Sequence, residues 1–144
     1  MPKSTQFAND ILGLIYRAAA IADLADNDAT SPATLLYVRL HTGALAAGDP
    51  GNTNEATYGG YAALSVARSG AGWNAPSGGS LDNAALLQFV ECSSGSNTIT
   101  HVSINKAASG TGACLHSGAL AASRTVSAGI QPQFAAGALV VTET

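Results

Sequence analysis

Charge is what this sequence has least of. Its 144 residues include six Lys and Arg and nine Asp and Glu, 10% in all, where a soluble domain usually carries about a quarter. The basic residues Lys3, Arg17, Arg39, Arg68, Lys106 and Arg124 are scattered. A phosphate-binding face needs them clustered, so no nucleic-acid partner is expected. Two cysteines do not make a disulfide scaffold. The first residues, Met1-Pro2-Lys3-Ser4-Thr5, lead into Phe7 and Asn9 without a compact apolar stretch and cleavage site. No secretory leader is therefore expected, and reduced thiols are the default. No run approaches 18 uninterrupted apolar residues, so no membrane span is expected. Aromatics are scarce at 6%, and much of the 47% hydrophobic content is Ala and Val. A surface with so few charges is weakly repelled from its neighbours and favours association.

What is present reads as one domain over residues 1–144, large enough to bury a core. Residues 7–25 read as a helix, with Ile11, Leu14, Ile15, Ala18, Ala22 and Ala25 at three- and four-residue spacing and Ile21 and Leu24 widening the stripe. Ser4 or Thr5 can cap its start. Asp26, Asn27, Asp28 and Ser31-Pro32 mark its end. That stripe is broad for a surface helix and calls for a sheet or a partner subunit.

After Pro32 the period falls to two. Residues 34–41 set Leu36, Val38 and Leu40 against Tyr37, Arg39 and His41. Further strands are expected at 61–68, 85–90, 98–104, 113–117, 124–128 and 138–142. Gly, Ser and Asn turns separate them, and no helix intervenes. The pattern predicts a mainly β fold over 34–142, an antiparallel β-sandwich behind an N-terminal helix. Two connections, 42–60 and 69–83, are long enough to bind something or to be ordered by a partner. The string GALAA occurs at 43–47 and again at 118–122, in unlike contexts.

Catalytic chemistry finds few footholds. His41, His101 and His116 show no metal-binding spacing. A set of His41, Glu55 and Ser65 needs every step of its convergence assumed. A structural role for His41, capping a backbone carbonyl or packing on Tyr37, is the expectation. His101 reads as a half-buried hydrogen-bonding or interface residue. Cys92, Cys114 and His116 lack a fourth zinc ligand. Glu91 and Asp82 are not marked as a glycosidase pair, and the SGTG at 109–112 is a turn. No catalytic residue, cofactor or metal site is therefore expected. Trp73, in a Gly-rich loop, is either an exposed interface anchor or a plug folded back onto the domain. Asp49-Pro50-Gly51-Asn52 is a turn in which Pro presets φ and Gly and Asn tolerate positive φ. Glu55 can pair with Arg39 or Arg68.

These residues also carry a likeness. A strand ending Leu40-His41-Thr42 is followed by Asp49-Pro50-Gly51 and Asn54-Glu55. Then come Tyr58-Gly59-Gly60-Tyr61, a strand ending in Arg68, and Gly72-Trp73. With the N-terminal helix and the tail GIQPQFAAGALVVT at 129–142, this series resembles a group of small tailed-bacteriophage structural proteins. Members are often labelled tail-fibre-like, and some resemble head decoration, or cement, proteins. Ala63 departs from the pattern, since relatives commonly carry Arg there, so no polar contact is carried over at that position.

The resemblance implies a jelly-roll-like sandwich, assembled as a homotrimer on the outer surface of the capsid in the virion. The chain would clamp major capsid protein subunits, without catalysis. The alternative is a tail-fibre or tail-associated component with receptor binding. On the first reading, residues 49–61 form an arm that reaches a neighbour. The interface residues are then Asp49, Pro50, Gly51, Asn54, Glu55, Tyr58, Tyr61, Arg68 and Trp73.

Overall fold

The computed structural model describes residues 4–21, 25, 32–112 and 114–143. The fold is mainly β, with antiparallel sheets and one N-terminal helix. The elements run α1 (Thr5–Arg17), β1 (Leu35–His41), β2 (Leu64–Ala67), β3 (Ser80–Asp82), β4 (Leu87–Gln88), β5 (Ser96–Asn105), β6 (Cys114–Ser127), β7 (Gln133–Phe134) and β8 (Val140–Thr142). One four-stranded sheet has the order β2-β1-β5-β6, and β3-β8 and β4-β7 form two-stranded ribbons. Contacts group the chain into two compact units. The first comprises residues 1–35, 67–87 and 134–144; the second comprises 36–66 and 88–133.

In the first unit, Ser4 caps α1 by accepting from the Phe7 amide. The helix ends at Arg17, earlier than the spacing predicts. Ala18 takes the left-handed conformation with φ 56, and the Ala19 amide donates back to the Gly13 carbonyl. Beyond it, Ile21 and Ala25 exchange backbone hydrogen bonds as an isolated bridge. Asp26, Asn27, Asp28 and Ser31 lie outside the described residues. The cause of the early stop is tertiary. The Arg68 guanidinium donates to the Leu14 and Ile15 carbonyls, two of the acceptors that a helix end leaves open.

The buried face of α1 is also rotated from the expected stripe. It consists of Ala8, Leu12, Gly13 and Tyr16, whereas Ile11, Leu14 and Ile15 are only half-buried. Tyr16 fixes that rotation by meeting Trp73 edge to face, with ring centroids 4.7 Å apart and planes at 71°. Leu81, Leu139 and Val141 are buried in the same unit. Asn83, fully buried, ties its C-terminal segment down by donating to the Ala85 and Ala135 carbonyls and accepting from the Leu139 amide.

In the second unit, β1 and β5 pair antiparallel with Leu40 opposite Val102 and His41 opposite His101. Leu36, Val38 and Leu40 are buried, as their alternation requires. Arg39 and His41 are buried too, which the alternation did not anticipate. Strands expected separately at 113–117 and 124–128 are parts of one long β6, antiparallel to β5. Its register shifts midway: Ile99 faces Arg124 but His101 faces Ala119, so Leu120 to Ser123 oppose Thr100 alone. Ile99 and Val102, of opposite parity on β5, are both buried, as are the neighbours Ser103 and Ile104, so both faces of this strand are covered.

Candidate functional site

The 42–60 connection is the segment the sequence singles out, and the structure folds it against its own sheet. The Thr42 amide donates to the Asn54 carbonyl at 2.8 Å, and the Ala56 amide to the Leu40 carbonyl at 2.8 Å. At the tip, the Asp49 carboxylate accepts from the Ala46 amide, and Asn54 Nδ2 donates to the Ala44 carbonyl. Asn54 is in the left-handed region at φ 52, a conformation its short polar side chain tolerates. The Gly51 amide donates to the Gly112 carbonyl at 3.0 Å. A Cβ on Gly51 would stand on that carbonyl oxygen and 2.5 Å from Asn105 Oδ1. Gly51→Ala is therefore expected to cost roughly 1–3 kcal/mol through overpacking, read as a lower urea midpoint with an unchanged slope.

Two polar clusters hold the arm. The first centres on Arg39, which is fully buried on β1. Its Nη1 meets Glu55 Oε2 at 3.4 Å and donates to the Gly110 carbonyl, while Nη2 donates to the Ala107 carbonyl at 2.7 Å. Of the two partners open to Glu55, Arg39 is the one used. Tyr61 donates through its hydroxyl to Glu55 Oε1 at 3.0 Å and accepts from the Leu40 amide. Burial pushes the Tyr61 phenol up, so it remains a neutral donor to the carboxylate. One cation thus joins the strand, the arm and the β5–β6 loop.

The second cluster is built on His41. Its Nδ1 lies 2.8 Å from the Thr53 carbonyl, which can only accept, so Nδ1 carries the proton. Its Nε2 accepts from the Ser103 hydroxyl at 2.7 Å, and Asn105 Nδ2 donates to the same Ser103 oxygen. This realises the carbonyl cap expected of His41. The pairing with Ser103 has the form of a nucleophile and base, but both residues are fully buried and Ser103 already holds two partners. Its work is to bind arm to sheet.

Burial lowers the His41 pKa from its ordinary value of 6.5, against a smaller raising effect of the Thr53 hydrogen bond. The unfolded chain therefore binds the proton first as pH falls. This contribution to stability is complete above about pH 6.5 and is lost on acidification below it, with a slope of at most about 1.4 kcal/mol per pH unit. Urea midpoints from pH 8 to pH 5 should show the fall, and His41→Gln should flatten it.

The nine residues expected at an interface are divided between the units. Asp49, Pro50, Gly51, Asn54, Glu55, Tyr58 and Tyr61 belong to the second, Arg68 and Trp73 to the first. Trp73 is fully buried, so the folded-back alternative describes it and the exposed anchor does not. Tyr58 is buried against the Val90 carbonyl and meets Tyr61 edge to face at 5.3 Å. Arg68 serves the end of α1 and also donates to the Ala33 carbonyl. Pro50 and Asn54 are exposed.

Beside the arm lies an open groove of about 600 Å³, lined by Asn52, Glu55, Ala56, Thr57, Tyr61, Ala62, Ala63, Ala108 and Ser109. Elsewhere Cys92 is a buried free thiol donating to the Ser94 carbonyl, and Cys114 is free and half-buried. His101 is half-buried beside the Thr100 hydroxyl. Sequence reading named Arg39 as a partner for Glu55 but not its bonds to the Ala107 and Gly110 carbonyls, and it missed the roles of Ser103, Asn105 and Asn83. Ser103 and Asn105 stand in opposite phase to the buried Val102 and Ile104, and Asn83 lies just past β3, so no periodicity marked them.

A family profile described as podophage GP4 fiber I protein gp80 matches residues 3–142. The chain belongs to that family. It is a phage structural protein, as the resemblance implied, and its place is in the virion. No curated protein matches the chain. Among the described residues, no helix is long and apolar enough to cross a membrane.

Proposed function

We propose that the chain is a non-enzymatic component of the virion's fibre, present in more than one copy. The observation that carries this reading is the family match over residues 3–142 to a podophage fibre protein. It favours the tail-associated alternative over the capsid decoration role expected from the resemblance. The geometry supports the same preference. The decoration reading had residues 49–61 reach a neighbour or the capsid, whereas the 42–60 connection spends many of its polar groups on β1 and on the β5–β6 loop of its own chain. His41 and Glu55 are occupied in holding that arm. A fibre component packs beside other chains, which a surface with few charges favours.

Immunogold labelling of intact virions with a polyclonal antibody raised against the whole chain tests the assignment. Gold on fibres at the tail end supports it. Gold spread over the head would return the decoration reading.

A further inference from the structure

Strands β1 and β5 divide their paired side chains between two faces. Leu36, Val38, Leu40, Val102 and Ile104 lie on one face and are buried. Tyr37, Arg39, His41, His101, Ser103 and Asn105 lie on the other, and all carry polar groups. The arm and the β5–β6 loop cover this second face. Lifting the arm therefore bares groups that water solvates and leaves the apolar face untouched. Segments of that kind open locally without unfolding the rest.

The arm is also lightly rooted. From 42 to 55 its one buried residue is Gly51. Its ties include the Gly51 amide on the Gly112 carbonyl, Glu55 on Arg39 and Tyr61, and the Thr53 carbonyl on His41. Beyond it the chain is anchored, for the Thr57 and Tyr58 amides both donate to Asn97 Oδ1 and Tyr58 is buried.

His41 is the tie that acid reverses. A second proton turns its Nε2 into a donor aimed at the Ser103 oxygen, which already accepts from Asn105 Nδ2. The Ser103 proton then loses its acceptor. The new charge also arises in a buried site beside other cations. Arg39 stands two residues away on the same face, and His101 lies directly opposite on β5. Glu55 reaches in from the arm, but Arg39 and Tyr61 already hold its carboxylate. Opening the arm gives the imidazolium the water that burial denies it.

We infer that residues 42–55 are an acid-released strap: protonation of His41 lifts them from the polar face of the sheet while β1, β5 and β6 stay paired. Release depends on the chain alone, wherever it sits in the virion. Burial holds the His41 pKa below 6.5 while the strap is closed, and opening restores the ordinary value. Closure is therefore fullest above about pH 6.5 and weakens by up to about tenfold per pH unit below it.

The test is amide hydrogen exchange on the full chain, read by NMR between about pH 8 and about pH 5, with each rate corrected for the intrinsic effect of pH on exchange. The Thr42 and Gly51 amides are expected to lose about tenfold in protection over the acid part of that range, while amides across the β1–β5 pairing keep theirs. In His41→Gln the acid loss should be absent. The comparison of arm with sheet amides needs no variant, so it decides the matter even where the variant fails to fold. Arm amides that stay protected throughout overturn the strap, as they would if the Asn105 amide turned to take the Ser103 proton. So does a loss in which arm and sheet amides fall together, or one that His41→Gln retains in full.

Discussion

Replacing Arg39 with Met is expected to destabilise the protein by about 3 kcal/mol, the low end for breaking a buried ion pair by removing one partner. The low end applies because the Glu55 side chain keeps 18% of its exposure, so water offsets part of the orphaned charge. The loss has three parts. Glu55 is left with Tyr61 alone, and the carbonyls of Ala107 and Gly110 lose their donor. Methionine fills the volume of the stem, so the effect reads the polar contacts and not a cavity. Glu55→Gln should cost only about 1 kcal/mol, because an amide still accepts from Tyr61 and Arg39 keeps its two carbonyls. Urea denaturation of both variants and of the double variant gives the coupling directly. If Arg39→Met cost less than half a kcal/mol, the arm would not be held as described.

Trp73→Ala is expected to cost about 3–5 kcal/mol, the range for emptying a large aromatic site. Trp73 is fully buried and packs on Tyr16, whose ring sets the rotation of α1. Trp73→Phe should recover most of that loss, since a smaller ring still meets Tyr16. Thermal unfolding followed by circular dichroism checks both variants, as the substitution removes the only tryptophan. An exposed binding anchor would give a different pattern, with stability changed by less than about 0.5 kcal/mol. The two variants therefore separate a structural Trp73 from a recognition Trp73 without any knowledge of a ligand.

The strand architecture was legible where period two met large apolar residues. Leu36, Val38 and Leu40 are buried as their spacing requires, and residues 98–104 fall within β5. Cap chemistry was legible as well, for Ser4 needs only its neighbours to act. The end of the helix was not. Nothing in Ala18-Ala19-Ala20 signals a stop, and the residue that takes the Leu14 and Ile15 carbonyls lies over fifty positions along the chain. Long-range contacts of this kind leave no local pattern.

The same limit governed the site. Alternation assigned Arg39 and His41 to the face opposite the core without showing that this face is covered. What covers it is the arm and the β5–β6 loop, whose Gly-rich sequences advertise turns but not their destination. Trp73 remained open between two readings because a lone aromatic in a loop has no periodicity to place it. Its partner, Tyr16, lay outside the stripe chosen for α1.

Electron cryo-microscopy of the intact virion tests the central claim most directly. The account predicts density for this fold within a fibre at the tail, with residues 42–60 lying on their own β1 and Arg39 beneath them. Density at lattice positions on the head, with residues 49–61 lifted from β1 onto a capsid subunit, would contradict it.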